Sequence, residues 1–338
     1  MRGEASGSPL GEQLAPASEG SHPSVSASPS HLPQGEGAGG VAIPFITFTL
    51  IWGSTWIVIR DQLGDVPAQW SVTYRFIIAA AAMFLIAAWK KAPLRLERRH
   101  WGIVAVIGVF QFCVNFNAVY VAEHYITSGL VATVFALLLI PNSLLAWIML
   151  GQKPGGRFLA CSAIAIAGIG LLFLQELRRD QASDAAVLAG IGFTLIGIMG
   201  ASVSNVLQAT ERVRDIPVLT LLAWAMAVGA VADGIIALTV AGAPTFEWTW
   251  RYWIGLVYLA VLASALCFTL YFPVVRKIGP GKAAYSSALV PIVAMALSTI
   301  FEDYRWTPLA AAGAALAIGG MLLALMSRRP VAAPPPAD

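Results

Sequence analysis

Apolar residues fill most of this chain in long runs, separated by short segments that contain charges, glycine or proline. Runs of about 20 apolar residues have the length that crosses a hydrocarbon core as an α-helix. The pattern predicts an all-α integral membrane protein with ten transmembrane helices, near Gly40 to Ile59, Gln69 to Trp89, Trp101 to Val121, Thr127 to Leu150, Gly156 to Leu174, Ala186 to Ala209, Pro217 to Val240, Tyr252 to Val275, Ala283 to Phe301 and Pro308 to Met326.

A repeat relates the two halves of the chain. Leu-Gly-Asp-Val-Pro at 63–67 lies 150 residues before Val-Arg-Asp-Ile-Pro at 213–217, and Pro141 lies 150 residues before Pro291. Similar composition alone makes Ala-rich and Gly-rich helices look alike, but it does not explain prolines in one register. Five helices per half is an odd number, so we predict two inverted five-helix repeats. That arrangement is typical of transporters with a binding site near the membrane midplane.

The repeat predicts the domain organisation. Residues 1–40 are rich in Ser, Pro and Gly and lack aromatic residues, a composition typical of disordered tails. We predict a disordered cytoplasmic tail over 1–40, a first repeat over 41–174, a linker loop over 175–185, a second repeat over 186–328 and a short Pro-rich tail over 329–338.

The distribution of charge predicts the orientation. Of the 21 Lys and Arg residues, 15 fall in the tails and in the loops on their side, 5 fall in the loops of the other side, and Arg75 lies within a helix. Positive loops mark the cytoplasmic side, so both termini are predicted to be cytoplasmic. The composition is 58% hydrophobic and 12% charged, which excludes a soluble globular domain, and the net charge of +3 gives no reason to expect a nucleic-acid partner.

Arg75 is the leading candidate for a functional residue, because it is a charge within an apolar helix. Such a residue faces the protein interior or water. Its guanidinium can bind a carboxylate through two hydrogen bonds. Alternatively, Arg75 extends to the membrane interface or stabilises a helix end.

Other aromatic and polar residues at depth are candidates for substrate binding. Each of them can instead pack or hydrogen-bond between helices. The predicted substrate-binding set, besides Arg75, is Trp52, Trp56, Tyr74, Gln111, Asn115, Asn142, Ser202, Asn205, Gln208, Trp224, Tyr258 and Tyr285. The predicted hinges are Pro67, Pro141, Pro217 and Pro291, because proline interrupts helix hydrogen bonding.

Titratable residues in and near the ends of the predicted helices can have structural roles. Asp233 can carry a coupling proton, but we favour the interpretation that its helix ends earlier than drawn. Glu123, His124, Glu302 and Asp303 fall at predicted helix ends and are expected to be solvated or to cap helices.

The chain resembles the drug/metabolite transporter superfamily, specifically ten-helix exporters made of two EamA-type repeats. Trp52-Gly-Ser, Arg75-Phe76, the two mid-helix prolines and the Gly-rich last helix of each half carry the resemblance. Where the family commonly has Leu-Gly-Glu, this chain has Leu150-Gly-Gln152. Its Gly151-Gln-Lys153 at this hairpin resembles aromatic amino acid exporters of the YddG type. The resemblance implies a bacterial-type inner membrane.

These observations predict a secondary transporter that exports small metabolites, foremost aromatic or other amphipathic amino acids, by alternating access. Phosphorylated sugars or other organic anions are the alternative cargo, and a non-transporting membrane assembly subunit is the alternative class. No enzyme motif is present, and Gly279-Pro-Gly-Lys282 lacks the P-loop spacing, so we expect no catalysis, nucleotide, metal or cofactor. The expected partners are a small-molecule substrate and the lipid bilayer, with the protein a monomer or homodimer.

Overall fold

The computed structural model describes residues 39–151, 153–178, 183–273 and 285–326, and every regular element in these ranges is helical. The ten long helices are α1 (Gly39–Asp61), α2 (Ala68–Trp89), α3 (Arg98–Tyr125), α4 (Ser128–Leu150), α5 (Gly156–Leu177), α6 (Asp184–Gln208), α7 (Val218–Val240), α8 (Trp250–Pro273), α9 (Tyr285–Phe301) and α10 (Pro308–Met326).

Eight of these helices are long and apolar enough to cross a membrane, and the described parts of α9 and α10 are shorter apolar helices. The all-α membrane fold is therefore confirmed. A further short helix, Glu211–Arg214, lies between α6 and α7. The predicted tail at 329–338 and residues 1–38 of the predicted N-terminal tail lie outside the described residues.

The helices alternate in direction, so the bundle has two ends. The terminal end is where α1 begins, and the far end is where α1 ends. Contacts at the far end support this alternation, because the last turn of α1 meets the end of α9 through Arg60 and Glu302, and the start of α8 through Asp61 and Arg251.

Two of the predicted hinge prolines lie within helices. Pro141 lies in α4 just after a tight turn of 3-10 helix at Ala136–Leu138, because proline has no N–H to donate to the carbonyl four residues earlier. Pro291 lies inside α9. Pro67 and Pro217 immediately precede the first residues of α2 and α7. Pro67 and Pro217 therefore lie at helix starts, Pro141 follows an irregular turn and Pro291 lies within a continuous helix. The role of all four as hinges stays a prediction.

Helices α3 and α8 each contain a wider π-helical segment that the apolar pattern did not predict. The first runs over Gly108–Val114 and the second over Tyr258–Leu266. Both begin at positions related by the spacing of 150 residues seen in the sequence. The repeat thus includes a local backbone feature.

Helix packing follows the same repeat. Helix α2 packs against α7 and α5 against α10, which joins corresponding helices of the two halves. The contact between α1 and α9 has its counterpart between α6 and α4, and that between α3 and α7 has its counterpart between α8 and α2. Each half therefore completes the core of the other.

Small residues allow the closest of these contacts, between α5 and α10. A Cβ at Gly168 would lie 2.6 Å from the Gly313 carbonyl oxygen, and a Cβ at Gly320 would lie 2.6 Å from the backbone nitrogen of Ala165. Helices approach this closely only where side chains are small. Gly313 and Ala317, four residues apart on α10, both face Gly168.

This contact predicts a stability difference between two glycines of α5. We expect Gly168→Val to destabilise the protein by roughly 1–3 kcal/mol, the usual cost of overpacking a core. Gly170→Val is the matched control, because a Cβ at Gly170 meets nothing within 4 Å among the described residues. Thermal unfolding in detergent should show a lower melting temperature for Gly168→Val alone. Equal melting temperatures would contradict the packing described here.

Candidate functional site

A cavity of about 140 Å³ lies between the two halves of the bundle. Helices α1, α2, α3 and α4 of the first half and α6, α8 and α9 of the second half contribute its wall. The lining residues are Trp52, Thr55, Trp56, Ile59, Arg75, Gln111, Asn115, Phe116, Val119, Ala132, Phe135, Ala136, Leu138, Ala201, Asn205, Phe268, Tyr271 and Val290. Six of the predicted substrate-binding residues are in this wall, namely Trp52, Trp56, Arg75, Gln111, Asn115 and Asn205.

Arg75 is the one charged side chain among the described lining residues, and only 1% of it is exposed. It lies about one-third of the way along α2. Because its side chain is buried within the bundle, it does not extend to the membrane interface. Its Nε donates to Ser264 Oγ at 3.1 Å, and its guanidinium carbon lies 4.3 Å from the centre of the Phe116 ring. The hydroxyl of Tyr120 lies beside the same guanidinium. These contacting groups carry no charge, but the buried carboxyl groups of Glu123 and Asp233 also interact electrostatically with Arg75.

Several polar atoms of the lining residues lack a hydrogen-bond partner among the described residues. Two are donors, Nη1 of Arg75 and Nε1 of Trp56, and two are amide oxygens, of Gln111 and Asn115. Buried polar groups in proteins are almost always hydrogen-bonded, by water where no protein group is near. These four atoms are shielded in this conformation, so water or a polar ligand in the cavity would reach them after a small movement of the wall.

Aromatic rings form one side of the cavity. The Trp52 ring contacts Phe268 at 5.4 Å and Tyr271 at 5.1 Å between centroids, and its Nε1 donates to the Ala263 carbonyl at 3.0 Å. Trp56 meets Phe135 at 5.4 Å. Helix α1 thus supplies two tryptophans, and α8 and α4 supply the rings that hold them.

Three predicted aromatic residues lie elsewhere. The Tyr74 ring stacks between Trp70 and Phe246 near the far end, and its hydroxyl donates to the Thr245 carbonyl at 2.9 Å. Trp224 donates to the Leu94 carbonyl at 2.8 Å, towards the terminal end. The Tyr258 hydroxyl lies 2.6 Å from Ser54 Oγ and joins α8 to α1. Each has its polar atom bonded outside the cavity.

Four further predicted residues are not among the lining residues. Asn142 and Ser202 each have a buried oxygen without a hydrogen-bond partner in the described part of the chain, but neither lines the cavity. Gln208 donates to Ser204 Oγ at 3.2 Å. The side chain of Tyr285 lies outside the part that the structure describes.

Phe116, Phe268 and Tyr271 are lining residues that the sequence analysis missed. The sequence could have indicated two of them, because Phe268 and Tyr271 are three residues apart and so share a face of α8. Phe116 directly follows Asn115 and lines the cavity beside it, two residues after the π-helical segment ends at Val114.

A polar network joins four helices at the far end, and we define it as Arg60, Glu123, Ser128 and Glu302. Arg60 Nε lies 3.7 Å from Glu302 Oε1, and Arg60 also donates to the Glu123 carbonyl. Glu302 accepts from the Ser128 hydroxyl at 2.6 Å and from the Ser128 backbone N–H at 3.2 Å. The prediction that Glu302 caps a helix is confirmed, because Ser128 is the first residue of α4.

Two of the expectations for acidic residues are wrong. The Glu123 side chain is fully buried rather than solvated, because α3 extends beyond its predicted end to Tyr125 and α1 covers it. Asp233 does not mark an early helix end, since α7 continues to Val240. The Asp233 side chain is buried and accepts a hydrogen bond from Asn117 at 2.6 Å. Among the described residues, no group of three or more His, Cys, Asp or Glu could hold a metal.

The fold and the cavity together define a polytopic helical membrane protein with an internal site at the junction of its two halves. Residues 41–174 and residues 186–326 each match the EamA-like transporter family. The chain belongs to this family, within the drug/metabolite transporter superfamily, and it is a transporter of that type.

Curated relatives agree with this assignment at low identity. The chain is 22% identical over 75% of its length to "Uncharacterized transporter YoaV" of Bacillus subtilis, of which 86% is covered. It is 23% identical over 83% of its length to "Probable amino-acid metabolite efflux pump" of Escherichia coli, of which 93% is covered. A solved crystal structure with 17% identity matches with a TM-score of 0.64 over 85% of this chain and 96% of the other, which shows the shared fold.

The position of Asn205 yields a direct test of the cavity. In a variant whose cysteines Cys113, Cys161 and Cys267 are replaced by alanine, we expect Asn205→Cys to react with a small thiol reagent. The control is Ser202→Cys on the same helix, because Ser202 is fully buried outside the cavity. Mass spectrometry of the labelled protein measures both rates. Labelling of Ser202→Cys as fast as Asn205→Cys would contradict the described cavity.

Proposed function

We propose that this transporter exports amino acids, with a preference for aromatic or other amphipathic side chains, by alternating access. The observation that carries the proposal is Arg75, a buried cation in the cavity whose Nη1 has no partner among the described residues. A buried charge is stable when it is paired. A carboxylate of the cargo supplies that pair through charge-assisted hydrogen bonds.

The remaining polar atoms of the cavity suit the other charge of an amino acid. The amide oxygens of Gln111 and Asn115 accept hydrogen bonds, which an ammonium group donates. The site therefore offers donors for a carboxylate and acceptors for an ammonium group within one cavity. Phosphorylated sugars fit less well, since they require several cations and the described lining residues include only Arg75.

The size and the wall of the cavity favour an aromatic side chain. Apolar cavities of about 150 Å³ in proteins bind benzene, and this cavity has about 140 Å³. The rings of Trp52, Trp56 and Phe268 offer edge and face contacts to an aromatic cargo, worth roughly 0.5–1.5 kcal/mol for each pair. The efflux-pump relative in Escherichia coli supports cargo of amino-acid type.

The position of the cavity between the two halves supports the proposal of alternating access. The far-end network joins α1, α3 and α4 of the first half to α9 of the second half. Opening the far end must separate Arg60 from Glu302, so this ion pair stabilises the closed far end. The prolines in α4 and α9 supply flexible positions for the movement.

The cargo site is tested by exchange of radiolabelled L-phenylalanine across proteoliposome membranes. We expect Arg75→Gln to raise the half-saturation concentration by about 10-fold to 150-fold, because a hydrogen bond to a charged group is worth about 1.5–3 kcal/mol. L-phenylalaninamide, which lacks the carboxylate, should compete equally well against the variant and the native protein.

Two further variants control this experiment. Arg75→Lys keeps the charge and should retain part of the affinity, and Arg251→Gln removes an exposed arginine that pairs with Asp61 outside the cavity. Arg251→Gln should exchange like the native protein. Native exchange by Arg75→Gln protein that reaches the membrane would exclude Arg75 from the site, and a screen that finds only aliphatic or sugar cargo would exclude the aromatic preference.

The far-end network predicts a shift in accessibility. In the cysteine-free background with Thr55→Cys in the cavity wall, we expect Arg60→Gln to speed labelling from the far side by about 5-fold. The Arg60 and Glu302 side chains are 41% and 9% exposed, and an ion pair that is partly open to water is worth about 1 kcal/mol.

The matched control for Arg60→Gln is Asp61→Asn. It breaks the neighbouring pair with Arg251, which is more exposed. Faster labelling with Asp61→Asn, or an unchanged rate with Arg60→Gln, would show that the ion pair of Arg60 and Glu302 does not hold the far end closed.

A further inference from the structure

We infer that Ser264 is a positioning residue, which fixes the guanidinium of Arg75 so that its Nη1 edge faces the cavity. The inference rests on the proposed function, in which Arg75 binds the carboxylate of the cargo. Ser264 Oγ accepts the Nε–H of Arg75 at 3.1 Å, and the serine is fully buried. Ser264 is not a lining residue of the cavity, so it acts through Arg75.

The π-helical segment of α8 determines the direction of the Ser264 hydroxyl. Ser264 Oγ donates to the Leu259 carbonyl, five residues earlier, at 2.9 Å. In a regular α-helix a serine hydroxyl reaches the carbonyl three or four residues earlier. A hydroxyl has a single proton, and the Leu259 carbonyl receives it. Ser264 therefore presents only lone pairs to Arg75 and acts there as an acceptor.

Two contacts then define the orientation of the planar guanidinium. Ser264 lies in its plane at Nε, and the Phe116 ring lies over its face at 4.3 Å. A planar group held at one edge and on one face has little freedom left, and its opposite edge carries the Nη atoms. Nη1 is the atom without a partner among the described residues.

Ser264 is uncharged, and this affects how strongly Arg75 attracts a cargo carboxylate. An aspartate at this place would hold Arg75 equally well, but it would neutralise the cation and leave little attraction for a cargo carboxylate. Serine and phenylalanine hold the guanidinium without supplying a negative charge. Ser264 therefore adds no negative charge beyond the interactions that Arg75 has with Glu123 and Asp233. Because the guanidinium is already ordered, binding energy is not spent on ordering a mobile side chain.

The transport test compares Ser264→Ala with Ser264→Thr in the exchange of L-phenylalanine. We expect Ser264→Ala to raise the half-saturation concentration for L-phenylalanine by about 10-fold and to change competition by L-phenylalaninamide less than 2-fold. Ser264→Thr keeps the hydroxyl and should restore native affinity. Ser162→Ala is the control, because Ser162 is a buried serine of α5 outside the cavity. A general structural defect would weaken both cargoes together.

A second measurement tests the contact without any cargo. Nuclear magnetic resonance of protein labelled with ¹⁵N-arginine reports the exchange of the Nε–H proton of Arg75 with water, and the signal is assigned through its loss in Arg75→Lys. We expect exchange at least 10-fold faster in Ser264→Ala than in the native protein or in Ser162→Ala. An unchanged rate overturns the positioning role.

The two measurements separate the two proposals. If Arg75→Gln weakens L-phenylalanine exchange and Ser264→Ala behaves like Ser162→Ala, the cargo site stands and the positioning role is overturned. If the native protein does not exchange L-phenylalanine, the proposed cargo is wrong, and the Nε–H exchange rate alone decides for or against Ser264.

Discussion

The buried guanidinium of Arg75 is the constraint on which the rest of the site depends. A charge inside a membrane-spanning helix costs a few kcal/mol or more unless the protein or water surrounds it with polar groups. Here α8 supplies the Ser264 hydroxyl and α3 supplies the Phe116 ring, so the two halves of the bundle meet around one charge. The cavity lies where this stabilisation is incomplete, because Nη1 has no partner in the described part of the chain.

The apolar pattern predicted the ten helices, and the polarity of deep residues predicted six residues of the cavity wall. Both succeed because spans of about 20 residues and rare polar residues are strong signals in a membrane protein. The pattern failed for Trp224 and Tyr258, whose polar atoms bond to the Leu94 carbonyl and to Ser54. Sequence shows how deep a residue lies, but its partner depends on how distant helices pack. The burial of Glu123 was missed because α3 is longer than the pattern indicated.

The two π-helical segments were invisible to the sequence analysis, since a wider turn in an apolar run changes no residue type. They begin at Gly108 and Tyr258, at the repeat spacing, and they flank the cavity from opposite halves. One contains Gln111 and ends beside Asn115, and the other contains Ser264. Segments of this kind often occur at functional sites. Here Gln111, Asn115 and Ser264, in or beside these segments, are all buried.

The two halves of the chain differ in charge at corresponding positions. At the repeat spacing Arg75 corresponds to Ala225, Trp52 corresponds to Ser202, and Glu302 corresponds to Gln152. The duplication supplies a scaffold in which each half completes the other, as the packing of α2 on α7 and α5 on α10 requires. Had both halves kept an arginine, two like charges would share one small cavity and a single carboxylate would leave one unpaired. A single cation in the cavity is consistent with the proposed cargo, which has one anionic group.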